Sequence, residues 1–374
     1  MKGDRFPSEL VTEPCPATSL PRLRLTSHPS INHATYFLQS SITPDLNSLI
    51  FTSFRSGSAQ LYSVDHLPSG EIRQWTDGPA IHPFSAAIHP AGDRVFFVRR
   101  GSIWEIGRHT FAERLVIDFG DAQLGEVSLA ENGTWLTAAI RKANQPGVVA
   151  GRAGGSSWTF IPFPRTVIHP QFHPLDPSWI EFAADPAPRI HRVRRDGSGL
   201  ECLYHNSNDE FVVHETFLGS SGDLVYTVWP FALWRMNWHS LERRKICDFN
   251  AWHITPNRAG TAVLCDTNHP DRGIHLIDVA TGTPRLVCLS EASSQGSQWK
   301  TSRYAMPEDF AAARSNVAPG AVSWMETATD TIYGPQWTHP HPSFSPDERH
   351  VVFTSDRSGH PHVYVAALPA PAHG

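Results

Sequence analysis

The chain has only five cysteines, Cys15, Cys202, Cys247, Cys265 and Cys288, and no two stand in a C-x-x-C spacing. An odd, scattered set argues against a disulfide framework and suits free thiols in a reducing compartment. Charge is also sparse, at 18% Asp, Glu, Lys and Arg, with a formal net charge of -5 and no basic run. A protein that follows a nucleic-acid backbone needs the opposite balance, so no nucleic-acid partner is expected. An acidic substrate stays open, because a local arginine binds a carboxylate whatever the net charge. No apolar stretch follows the opening MKGDRFPSEL, and no window has the length and apolarity of a membrane span. A cytoplasmic protein with no membrane partner is therefore expected. The absence of a G-x-S-x-G elbow argues against a serine hydrolase.

What the chain does have is a repeat. Turn signals read TPDLNS at Thr43, HPAGDR at His89, AENGTW at Ala130, HPLDPS at His173, GSSGDL at Gly219, TPNRAG at Thr255 and SPDERH at Ser345. An apolar strand follows each, for example SLIFTS, RVFFVR, LVYTVW and HVVFTS. A second strand follows after a polar loop, as in QLYSVD, SIWEIG, LWRMNW and HVYVAA, and several units add a third. A period of about 36 to 46 residues with four short strands per unit is the pattern of β-propeller blades. The expectation is an all-β fold, a seven-bladed propeller of four-stranded blades forming a single domain over residues 1–374. The last unit stops one strand short, and LPRLRLT at Leu20 to Thr26 supplies the closing strand. The stretch from about 290 to 331 has no turn-strand pair and reads as an insertion, with an eighth, degenerate blade as the alternative.

Histidine is abundant, at 21 residues, and recurs near the start of the inner strand of several units. His169, His214 and His341 each stand three residues before a phenylalanine: Phe172, Phe217 and Phe344. Strand starts on one face of the disc surround one channel mouth, so residues distant in sequence converge there. His33 and His82 read as strand caps that bond backbone groups. The segment QWTHPHPSFSPD is denser in chemistry. His339 and His341 are two apart, which puts both on one face of an extended segment, with the Gln336 amide three residues upstream. Two imidazoles and an amide oxygen suit a divalent metal, whereas a proline-rich connection with solvated histidines is the plainer reading. The loop CDTNHPDRG, Cys265 to Gly273, adds Asp266, Asn268, His269, Asp271 and Arg272 on the same face. Arg189, in APRIHRV, reads as a substrate contact, because Ala187 and Pro188 leave room around it. Arg55 and Arg357, in parallel FRSGSAQLY and DRSGHPHVY loops, read as structural.

With these motifs the chain resembles the oligogalacturonate lyase family, cytoplasmic seven-bladed propellers acting on pectin fragments. The resemblance runs from about Ile31 to Leu368 and is strongest at GPQWTHPHPSFSPD, then AWHITPN, VVHETF and HPQFHP. It implies a metal-dependent lyase that cleaves oligogalacturonides by β-elimination to 4,5-unsaturated products. It also implies a manganese ion on Gln336, His339, His341 and His253, with His269 as the alternative third histidine. His214 fits the family's base and Arg189 its substrate arginine. His169 occupies the place equivalent to His214 one blade earlier and is expected to contact substrate. A lyase on another uronic-acid glycan and a non-catalytic, TolB-like binding propeller are the rival readings.

Overall fold

In the computed structural model the described residues are 1–294 and 335–369, apart from 69, 208, 209 and 269. They form seven antiparallel sheets, five of four strands and two of five. Each sheet is a blade. The inner strands, in chain order, are Asn32–Ala34, Ala87–Ile88, Gln123–Leu129, Thr166–Phe172, Val212–Phe217, Ile254–Pro256 and Ser343–Phe344. Each pairs with the strand that follows its turn signal, as Ser343 opposite Val352 and Phe344 opposite Val351. The seven-unit reading of the sequence therefore holds.

The core follows from the period of two within the strands. A strand between two neighbouring blades buries both faces, so SLIFTS and HVVFTS are buried nearly throughout. Each pair of adjacent blades encloses an apolar cluster. Leu49, Val352 and Val363 join the first blade to the last, and Leu264, Ile274, Val351 and Phe353 join the sixth to the seventh. The other five junctions are filled in the same way.

The ring closes as the sequence suggested. Arg22–Arg24 pairs antiparallel with His362–Ala367, Leu23 standing opposite Val365. Val11–Glu13 then adds a fifth strand outside it, and Arg5–Phe6 caps the outer edge of blade 1. These two additions were not foreseen. They are two or three residues long and mostly exposed, so neither burial nor alternation marks them. Arg55 and Arg357 serve this closure: Arg55 Nη1 lies 2.9 Å from Glu9 Oε1, and Arg357 pairs with Glu13 and Glu291.

The expected insertion at 290–331 lies outside the described residues beyond 294. Its flanks meet, since Ser294 N donates to Thr338 O at 3.1 Å. Among the described residues no helix is long and apolar enough to cross a membrane.

Candidate metal and acid-base site

The histidines reach the channel through a shared backbone device. His169, His214 and His341 have φ of 56°, 56° and 46°. Left-handed backbone is uncommon for residues other than glycine, and such strain, of order 1–3 kcal/mol each, gathers at functional positions. In blades 4 and 5 the pairing register slips at this point, between Ile168 and Gln171 and between Val213 and Thr216. A bulge of this kind re-aims a side chain. The equivalence of the three histidines, read from their spacing to phenylalanine, thus has a conformational basis.

His253, His339 and His341 stand together. Their ring centres are 4.0 Å apart for His253 and His341, 5.6 Å for His253 and His339, and 5.9 Å for His339 and His341. Imidazoles whose nitrogens each lie about 2 Å from one ion have ring centres no more than about 6.5 Å apart, so the spacing fits a shared metal. Asp266 accepts from the His253 backbone N–H and lies 2.7 Å from Nδ1, which directs Nε2 outward. A carboxylate behind a histidine is the usual support for a metal ligand. Gln336 is buried at the start of a short 3-10 turn, Gln336–Thr338. With the side chains as they stand, no three His, Cys, Asp or Glu groups among the described residues are arranged around one ion. Both nitrogens of His341 are buried without a hydrogen-bond partner, so that ring has no bond to break in turning toward one.

His214 lies beside this group, its ring centre 4.5 Å from that of His253 and 4.6 Å from Trp252. Burial, and then the neighbouring His253 and His169, hold its pKa well below the ordinary histidine value. It is neutral and able to accept a proton. Burial does the same to His253, and burial with His253 and His339 does so to His341, which suits ligands that bind metal as neutral imidazole.

His169 sits 6.1 Å from His214 between ring centres, and its Nε2 is 2.9 Å from the Tyr36 hydroxyl. Burial raises the Tyr36 pKa well above the ordinary phenol value and keeps the group protonated. Tyr36 and Phe37 come from blade 1 and fill the channel axis. Phe37 is packed against His169, His214 and His253 at 5.3–5.8 Å between ring centres. They carry no pattern that sequence reading could separate from core aromatics.

Arg189 differs from its expected setting. Instead of standing in open space it is 9% exposed, and its Nε lies 2.9 Å from Glu215 Oε1. The His214-Glu215 pair thus supplies a histidine and the partner of the arginine from one bulge. Glu181 is fully buried nearby, and burial followed by Glu215 raises its pKa far above the carboxylate range. Two buried carboxyls cannot both ionise against one guanidinium; Glu215 keeps the charge and Glu181 takes the proton. Sequence reading missed both, because an isolated glutamate in a strand is ordinarily solvated. His269 lies outside the described residues, although its neighbour Asn268 is at the site, with Nδ2 3.5 Å from His339 Nδ1.

A family model described as oligogalacturonate lyase matches residues 309–372. The oligogalacturonate lyase of Dickeya dadantii (strain 3937) is 23% identical over 413 aligned residues, covering 98% of each chain. The oligogalacturonide lyase of Pectobacterium atrosepticum is 22% identical over 417, again covering 98% of each. A solved oligogalacturonate lyase in complex with manganese has the same fold, with a TM-score of 0.81 at 21% identity, covering 99% of this chain and 98% of that one. Family model, full-length relatives and fold all point one way, and the resemblance to the oligogalacturonate lyase family read from the sequence holds across the chain.

Proposed function

We propose that this protein is a manganese-dependent polysaccharide lyase that cleaves oligogalacturonides by β-elimination in the cytoplasm. The observation that carries this reading is the meeting of His214, His253, His339 and His341, from three blades, in a chain similar end to end to oligogalacturonate lyases. Gln336, His339, His341 and His253 would hold the ion, with His269 as the alternative to His253. When bound, the ion neutralises the uronate carboxylate and so acidifies the adjacent C5 proton.

The neutral His214 ring takes that proton. The C5–H electron pair forms the C4–C5 double bond, and the C4–O4 bond breaks with its pair leaving on O4, which water protonates. Arg189 is held through Nε by Glu215, and its terminal nitrogens have no protein partner among the described residues; they bind a second carboxylate and fix the register of the chain. His169 backs this pair, and its partnerless Nδ1 is the atom left for substrate. Residues 290–331 form an insertion in the connection from blade 6 to blade 7 of a single domain.

The test is a panel of oligogalacturonides and glucuronate-containing oligosaccharides, followed by the absorbance of unsaturated uronate with manganese and with chelator. Product from the galacturonides alone, lost on chelation, is expected. Product from the glucuronate panel alone would replace the substrate, and no product from any uronide would refute the lyase reading.

A further inference from the structure

On the rim beside Gln336 a cleft of about 640 Å³ runs across blades 1 to 3. Among its lining residues are Phe54, His82, Arg100, Asp121, Gln336 and Trp337. His82 had read as a strand cap bonded to backbone. Its backbone N–H does bond Val98 O, but both of its ring nitrogens are buried without a hydrogen-bond partner. Burying an imidazole that makes no well-formed hydrogen bond beyond a contact with its own main chain costs desolvation. Its neighbour His33 differs, with Nδ1 2.8 Å from Ala34 O.

Arg100 is exposed on the same cleft and makes no ion pair or hydrogen bond among the described residues. It occupies a two-residue hairpin turn at φ 55°, a conformation that favours asparagine or glycine. The next residue, Gly101, is packed so closely on the connection into blade 3 that a Cβ there would meet Gly120 O at 1.9 Å. The opposite wall carries Phe54 and Trp337, with ring centres 6.1 Å apart and planes inclined by 55°. Among the described residues Asp121 is the one acidic side chain on the cleft.

We infer that this cleft is a subsite for a further uronate residue of the substrate, one sugar or more beyond the bond that is cleaved. Arg100 binds its carboxylate, His82 bonds a ring hydroxyl or carboxylate oxygen, and Trp337 with Phe54 receives the apolar face of the pyranose. The cleft shares Gln336 with the proposed metal site, so one oligosaccharide spans both. This inference rests on the lyase reading for its substrate.

The experiment compares digalacturonate and trigalacturonate as substrates of the manganese-loaded protein and of Arg100→Ala and His82→Ala, with calorimetry of trigalacturonate binding on the same proteins. Loss of one carboxylate-arginine contact is expected to raise KM and Kd for the trimer about tenfold in Arg100→Ala, and to lower the preference for trimer over dimer by a similar factor. His82→Ala is expected to act in the same direction. Arg100 is on the surface, so its variant folds even if His82→Ala does not. An unchanged trimer preference in Arg100→Ala, with unchanged Kd, overturns the subsite. If the parent protein yields no unsaturated product from any uronide yet binds trigalacturonate through Arg100, the subsite stands and the lyase reading falls.

Discussion

At the residue scale burial keeps His214, His253 and His341 of the site neutral. Removing one ligand tests the metal assignment. His339→Ala should lose bound manganese and activity while the far-ultraviolet circular dichroism keeps its all-β form, because ring stability is spread over seven blade junctions. Full metal content in that variant, measured by atomic emission, would remove His339 from the ligand set. The base is tested separately. A general base contributes on the order of 10² to 10⁴ in rate, so His214→Ala should lower kcat by that range with metal still bound. Near-normal turnover there, with collapse in His169→Ala, would transfer the role to His169. Arg189→Lys should raise KM more than it lowers kcat, because the charge remains but the planar fork is lost. It also loses the Nε contacts to Glu215 at 2.9 and 3.2 Å, so Glu215→Gln should shift KM in the same direction.

At the scale of the element, closure depends on the short strand Arg22–Arg24. Arg22 is fully buried in the strand that completes blade 7. Its guanidinium reaches Leu289 O and Glu291 at 2.6 Å and Pro14 O at 3.0 Å, tying the N-terminal strand to the end of blade 6. Arg22→Ala leaves those carbonyls without their donor and opens a cavity, so a loss of about 2–4 kcal/mol is expected in urea unfolding. A change of midpoint within error would show that the apolar junction alone closes the ring. The neighbouring strands Val11–Glu13 and Arg5–Phe6 extend two blades outward, and the ion pairs of Arg55 and Arg357 hold the segments that contain them.

Across the whole molecule four histidines outside the proposed metal set are held neutral, and they set how its stability responds to acid. His33, His82, His191 and His362 are each pushed down to about 4, burial being the main cause in every case. Their unfolded values lie near about 6.5. Between these limits the unfolded chain binds protons that the folded chain does not, so stability is lost as pH falls from about 6.5 through 4. Thermal melting across that window, with the metal chelated, should show Tm falling steadily with acidity and levelling above about pH 7. A flat Tm across the window would mean that these rings are not neutral in the fold.

Much of this protein could be read from its chain. A turn followed by a buried strand, repeated at a near-constant interval, leaves a propeller as the solution that buries every sheet on both faces, and the missing strand of blade 7 points to the N-terminus. The metal-ligand candidates were legible for a local reason: Gln336, His339 and His341 lie within six residues of one another. The tertiary structure decided the rest, because channel chemistry is assembled across the ring. Asp266 stands behind His253 from the next strand of the same blade, Glu215 holds Arg189 from the neighbouring blade, and Tyr36 reaches His169 from blade 1. No spacing along the chain records a contact between residues 133 positions apart, as Tyr36 and His169 are. His82 shows the same limit from the other side. Its place in the repeat suggested a cap, and only the packing around it shows two ring nitrogens that the fold leaves without partners.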